Sequence, residues 1–177
     1  MISNCGHDEC NKYTGGKAGD QTGGEYCIRE WYDRPWDCVL RYPDKAVRKD
    51  IAELARQAAE NDRIGYDQGQ RGTFWKQLST VPGYAPVNIT KCCEADCSSS
   101  TAAIIKAVGY RKGIEALQRV SCDLWTGNMR SALIKAGFKC LKAKKYRTSD
   151  KYLRRGDILL NEASHVCINL DKGSMVQ

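Results

Sequence analysis

The apolar positions of the chain change period once. Val47, Ile51, Leu54, Ala55 and Ala58 recur on one face of a helix, with Asp44 after Pro43 as its cap and Asn61-Asp62 as its end. A shorter helical run, Thr73–Leu78, stops before Val81-Pro82-Gly83. Cys97-Ser98-Ser99-Ser100 then opens the apolar run Thr101–Val108, ended by Gly109, which predicts a helix buried on nearly every side with Cys97 in its first turn. Another helix is expected from about Gly127 to Ala136, with Thr126 as cap and Gly137 as stop. Beyond Gly137 the period shortens. Phe138–Leu141, Asp157–Leu160 and His165–Leu170 read as strands, and Asp171-Lys172-Gly173 as a hairpin turn returning Ser174–Gln177 antiparallel to the His165 strand. Residues 1–43 hold a glycine cluster, Gly15–Gly24, and an aromatic patch of Trp31, Tyr32, Trp36 and Tyr42. They read as irregular chain that wraps the domain or walls a cleft. The pattern predicts one α+β domain over residues 1–177: 1–43 irregular, 44–137 mainly helical, 138–177 mainly strands, with helices packed on a C-terminal antiparallel sheet.

Composition narrows the class. A chain of 177 residues, 42% hydrophobic and 28% charged, is a globular domain and neither a disordered nor a fibrous one. No apolar stretch approaches the roughly 20 residues that span a bilayer, which argues against membrane insertion. Met1-Ile2-Ser3-Asn4-Cys5 does not begin a signal peptide, so synthesis in the cytoplasm is expected. Lys plus Arg number 28 and Asp plus Glu 21, and the resulting +7 attracts polyanions: nucleic acid, teichoic-acid-bearing wall or anionic membrane. Gly16-Lys17 leads into Ala-Gly-Asp and so lacks the Ser or Thr of a phosphate-cradling loop. Among ten cysteines, Cys5 and Cys10 with His7 offer three zinc ligands, but no second pair completes a tetrahedron. The other thiols read as small buried hydrophobes.

Two features carry chemistry. Cys97 begins a buried helix, where unpaired amides and the positive end of the helix dipole favour a thiolate. His7 and His165 are the two histidines, and His165 opens a strand. A cysteine at a helix start facing a strand histidine suits a thiol hydrolase: the imidazole takes the thiol proton and later protonates the leaving amine, and the helix amides hold the oxyanion. Asp96 opposes this unless its carboxylate points away from the sulfur.

Asp96-Cys97-Ser98-Ser99 before an apolar helix resembles the nucleophile motif of the NlpC-like and CHAP cysteine peptidases, a papain-like superfamily that cuts bacterial cell wall. Arg155-Gly156-Asp157-Ile158-Leu159-Leu160 and His165–Gly173 look like its strand and histidine-strand motifs, and the spacing of 68 residues from Cys97 to His165 is compatible with it. Ile64–Gln68, Arg71 and the Gly15–Gln21 loop resemble endolysin catalytic domains of Gram-positive phages and prophages. Ser99 stands where the family often has Gly, and Cys92, Cys93 and Cys167 are not required by the motifs.

The resemblance implies a papain-like fold and a metal-free, cofactor-free hydrolase of peptidoglycan, with Cys97 as nucleophile and His165 as base. Gln177 falls where the family places its third polar residue. Asn169, about 13 Å along the strand from His165 at ~3.3 Å per residue, is too far to touch the ring. Tyr66, Asp67, Gln68 and Arg71 are expected to bind substrate along the cleft wall, as are Asp20 and Gln21. The implied target is an endopeptidase bond in the stem or cross-bridge, with the muramoyl-L-alanine amide as alternative. Anionic wall polymers are expected partners, and nucleic acid is not. The enzyme would act at the wall after release, with any wall-binding domain lying outside this chain. Two readings from other classes are a zinc-stabilised basic nucleic-acid-binding module using Cys5, His7 and Cys10, and an effector that deamidates or cross-links host proteins.

Overall fold

The computed structural model describes residues 1–171. The expected return strand and Gln177 lie outside the described residues. Fold class is α+β: a six-stranded antiparallel sheet and a parallel strand pair enclose the helices' apolar faces. The sheet comprises Ile2–Cys5 (β1), Tyr26–Arg29 (β2), Cys38–Arg41 (β3), Lys139–Leu141 (β6), Ile158–Asn161 (β7) and His165–Asn169 (β8), in the order β2-β1-β8-β7-β3-β6. Ile64–Tyr66 (β4) and Cys93–Ala95 (β5) form the small parallel pair.

The first 43 residues, read from sequence as irregular, supply three of the six sheet strands. Burial explains the missed signal. The sheet is covered on both faces, so β1 and β3 are buried at every position and neither alternates. On one face Leu40, Leu160, Val166, Ile168 and Leu170 join the main core beneath the helices. On the other, Ile2, Val39, Leu159 and Cys167 pack with Trp36 and Leu153, under Trp31, Tyr32 and Tyr146.

Helix Lys45–Ala59 (α1) starts where expected, Asp44 accepting the amides of Ala46 and Val47 at 2.6 and 3.0 Å. The central helix, Cys97–Lys112 (α3), outlasts its expected end at Gly109 and is stopped instead by Gly113 at φ 66°. Gly109 serves packing: a Cβ there would sit 2.5 Å from the Gln118 amide of the short helix Glu115–Gln118 (α4). Thr73–Leu78 (α2), Thr126–Lys135 (α5) and Lys144–Arg147 (α6) complete the α-helices among the described residues. Thr126 lies inside α5 rather than capping it. Its hydroxyl donates to Glu162 O at 3.0 Å, while Asn128 Oδ1 accepts the Trp125 amide. In the Arg155-Gly156-Asp157 motif, Gly156 has φ 80° and a Cβ there would meet Arg48 O at 2.1 Å, so the motif's glycine lets β7 enter against α1. Asp157 is wholly buried and pairs with Arg41 of β3 at 2.6 Å.

Candidate active site

β5 runs directly into α3 through Asp96, and this junction sets the position of Cys97. Asp96 Oδ1 accepts the Ser99 amide at 2.7 Å and the Ser98 hydroxyl at 2.9 Å, and Ser99 Oγ accepts the Asp96 amide. Its other oxygen pairs with Arg71 at 3.1 Å. The carboxylate next to the thiol is therefore occupied by a helix cap and a guanidinium. Arg71 also donates to Ser98 Oγ at 3.2 Å and to Leu124 O. It braces the α3 start.

β1 pairs with β8 through Ile2 and Ser3, then continues against β2. α3 begins at this fork. The backbone amides of Val166 in β8 and of Ser98 lie at the Cys97 sulfur and favour its anion. The thiol thus sits against the residue that follows His165. His165 opens β8 and lies with Trp36 and Asn4, its ring centroid 6.4 Å from that of Trp36. Its Nε2 is 2.8 Å from Asn4 Oδ1 in a buried contact. An amide oxygen can only accept, so Nε2 carries the proton and Nδ1 holds the free lone pair.

Thiol and imidazole are both nearly enclosed, at 8% and 7% exposure. Burial, reinforced by Asp96, pushes the Cys97 thiol up to about 11, against the lowering effect of the Val166 and Ser98 amides and Arg71. Burial, with Arg34 and Arg29, brings His165 down to about 4. The expected helix-stabilised thiolate is corrected here: desolvation outweighs the helix start, and the resting pair is neutral.

The remaining sequence candidates divide. Tyr66 is buried in β4, and the Cys97 thiol is the strongest charged influence on its phenol after burial, so the two are neighbours. The exposed Gln68 donates to the Tyr66 hydroxyl at 3.1 Å, and Tyr13, 62% exposed, has its ring centroid 6.3 Å from that of Tyr66. Gln68 and Tyr13 thus carry the neighbourhood of the buried Tyr66 out to the surface. Asp67 and Asp20 are buried and hold backbone amides. Asp67 accepts the amides of Gly15 and Gly69, and Asp20 those of Thr22, Gly23, Gly24, Glu25 and Tyr26. Gln21 is exposed and turns its amide onto Ala18 and Gly19 carbonyls. Cys5, His7 and Cys10 do not gather: the Cys5 sulfur donates to Ala95 O, and His7 Nδ1 meets Asp8 O. Among the described residues no three His, Cys, Asp or Glu side chains converge as a metal site.

Asn4 escaped sequence reasoning because 161 residues separate it from His165 and its strand was not recognised. A buried acid was also missed. Glu94 of β5 accepts the Gly19 amide at 2.6 Å through one oxygen and leaves the other unpaired. Burial, with Glu25, Asp67 and Glu9 nearby, pushes it up to about 7. The folded chain thus holds this proton more tightly than the unfolded chain does, and stability is lost as pH rises from about 4.5 through 7. Glu94→Gln is expected to raise the thermal midpoint by about 3–6 °C at pH 8 and leave it near the parent's at pH 5. Calorimetry at the two pH values checks this.

The fold and site define an α+β domain with a buried thiol at a helix start, set against a strand that begins with an imidazole held by the side-chain amide of Asn4. The chain belongs to the endolysin-like domain family (ELLD), whose model matches residues 2–176. Membership points to a lytic action on the bacterial cell wall, with peptidoglycan as substrate. No curated protein and no solved structure matches the chain. No helix among the described residues is long and apolar enough to cross a membrane.

Proposed function

We propose that the chain is a cysteine hydrolase of peptidoglycan, of the papain-like NlpC/CHAP kind, cutting a peptide bond in the stem or cross-bridge. The observation that supports the reading is the Val166 amide at the Cys97 sulfur, Val166 being the residue directly after His165, whose Nε2 is 2.8 Å from Asn4 Oδ1. As the sulfur attacks the scissile carbonyl, its proton passes to His165 Nδ1. The imidazolium then protonates the departing amine and leaves a thioester on Cys97. Water, deprotonated by the same nitrogen, releases the acid and restores the thiol.

Proton transfer in concert with attack suits a pair that rests neutral, because no isolated charge forms in the enclosed site before substrate arrives. Asn4 takes the orienting role that the family resemblance assigned to Gln177. Amides at the α3 start and the Tyr66 hydroxyl are the donors for the developing oxyanion. Gln68 and Tyr13 would meet the stem peptide.

Mass spectrometry of digested wall tests the bond. An endopeptidase yields paired new amino and carboxyl termini within the peptides. An L-alanine amine freed from muramic acid would instead assign the amidase reaction. New reducing sugar ends without freed amines would contradict both.

A further inference from the structure

The chain's net charge is not spread over its surface. Residues 139–155 contain eight of the 28 basic residues and one of the 21 acidic ones, so this segment alone carries +7 and the remaining residues balance to zero. Protection of a sheet edge accounts for lysine on β6, the outermost strand. It does not account for the cations that follow in α6 and the turn after it. Those are knit into one face. Lys145 lies over both Tyr146 and Tyr152, at 5.1 and 5.4 Å from the ring centroids, and Lys151 lies over Tyr152 at 5.9 Å. Arg147 is fixed by Lys142 O and Trp36 O. Next to this face is a cavity of about 450 Å³ lined by Arg34, Lys144 and Arg147 with Asp33, Trp36 and two further residues. Three cations against one carboxylate leave it positive. Trp36 is the ring packed near His165, and Arg34 donates to Ser164, the residue before His165, at 2.8 Å.

We propose that this face, formed by Arg34, Lys142, Lys144, Lys145, Arg147 and Lys151, binds a polyanionic phosphodiester chain of the wall and holds the domain on its substrate beside the active site. This rests on the proposed wall hydrolysis but needs no catalytic step. Charge complementarity argues for the partner, because clustered cations release counterions from a linear polyphosphate in proportion to the charges paired. A bilayer fits less well. Tyr152 is the one large apolar side chain of the segment counted as exposed, so the face offers little to insert. Nucleic acid also fits less well. Single-strand binding draws on free aromatic faces for base stacking, and here the tyrosine faces are engaged by Lys145, Lys151 and Arg41.

The test uses the full chain carrying Cys97→Ala, so that binding is read without digestion. Cosedimentation is measured on walls that keep their phosphodiester polymers and on walls stripped of them by hydrofluoric acid. Lys142→Gln/Lys144→Gln/Lys145→Gln/Lys151→Gln is compared with a charge-matched control, Lys17→Gln/Lys49→Gln/Lys76→Gln/Lys91→Gln. All eight lysines are exposed. At 0.1 M salt the first set is expected to weaken binding about tenfold or more and to flatten the log–log salt dependence by about 3. The control should bind within about twofold of the parent, and stripped walls should bind all proteins weakly. Equal losses in both sets, or binding to stripped walls that still depends on the first set, would overturn the proposal. So would patch-dependent binding to duplex DNA, or to vesicles of phosphatidylcholine and phosphatidylglycerol at 3:1, that is tighter than to soluble poly(glycerol phosphate). With Cys97 restored, lysis of stripped walls at parental rates by the first set separates this claim from the hydrolase reading. Failure of the parent and of both sets to lyse any wall would strike the hydrolase reading alone.

Discussion

Cys97→Ala is expected to lower wall lysis by about 10³-fold or more, with its circular dichroism spectrum unchanged. Loss of the sulfur removes the bond-forming atom. The neighbouring thiols of Cys5 and Cys167 are fully enclosed and pushed up by burial, so neither offers an accessible nucleophile in its place. Cys97→Ser separates chemistry from packing. A hydroxyl keeps the shape and the Val166 amide contact but is a far weaker nucleophile beside a base brought down to about 4. Its lysis should be as low as that of the alanine variant. The parent's pH profile follows from the same values. Lysis fails when His165 gains a proton, so the acid limb should lie near pH 4 rather than near the ordinary 6.5 of histidine. Turbidity loss of purified walls from pH 3.5 to 8 measures it.

Asn4→Ala should slow lysis about 10–100-fold with a smaller change in the substrate concentration at half-maximal rate. The variant leaves a buried ring N–H without its partner and frees the imidazole to turn away from the sulfur. A general loss of stability would produce the same slowing, so Asn4→Asp supplies the discriminating readout. A carboxylate facing Nε2–H stabilises the imidazolium and should shift the acid limb of the profile upward. If Asn4 were only a packed strand residue, the limb would stay where the parent has it.

Helices α1, α2, α3 and α5 were legible from periodicity and punctuation, such as Asp44 and the Val47–Ala58 stripe for α1 and the apolar run for α3, whereas α4 and α6, four residues each, are too short to show a period. The three C-terminal strands were legible too, from short β-rich runs bounded by turns. Strands β1 to β3 were not, because sandwiching between two apolar layers erases alternation, and buried polar residues such as Ser3 and Asn4 disguise β1 as loop. At the site, Cys97 and His165 stood out through the elements they begin. Asn4 could not, since its role exists only once β1 lies beside β8. Asp20, in the glycine-rich loop, and Asp67, directly after β4, have a structural role the sequence did not show: their carboxylate oxygens accept the amides of the surrounding turns. The charge was countable from the start, but its concentration into one face beside Trp36 needed the packing of α6.

A double-mutant cycle on lysis rate tests the pairing of sulfur and imidazole most directly. Cys97→Ala, His165→Ala and the combined variant are assayed on the same walls, with folding verified for each. A shared proton-transfer step requires the combined loss to be no larger than the larger single loss. Losses that multiply, or lysis retained by either single variant, would contradict the account.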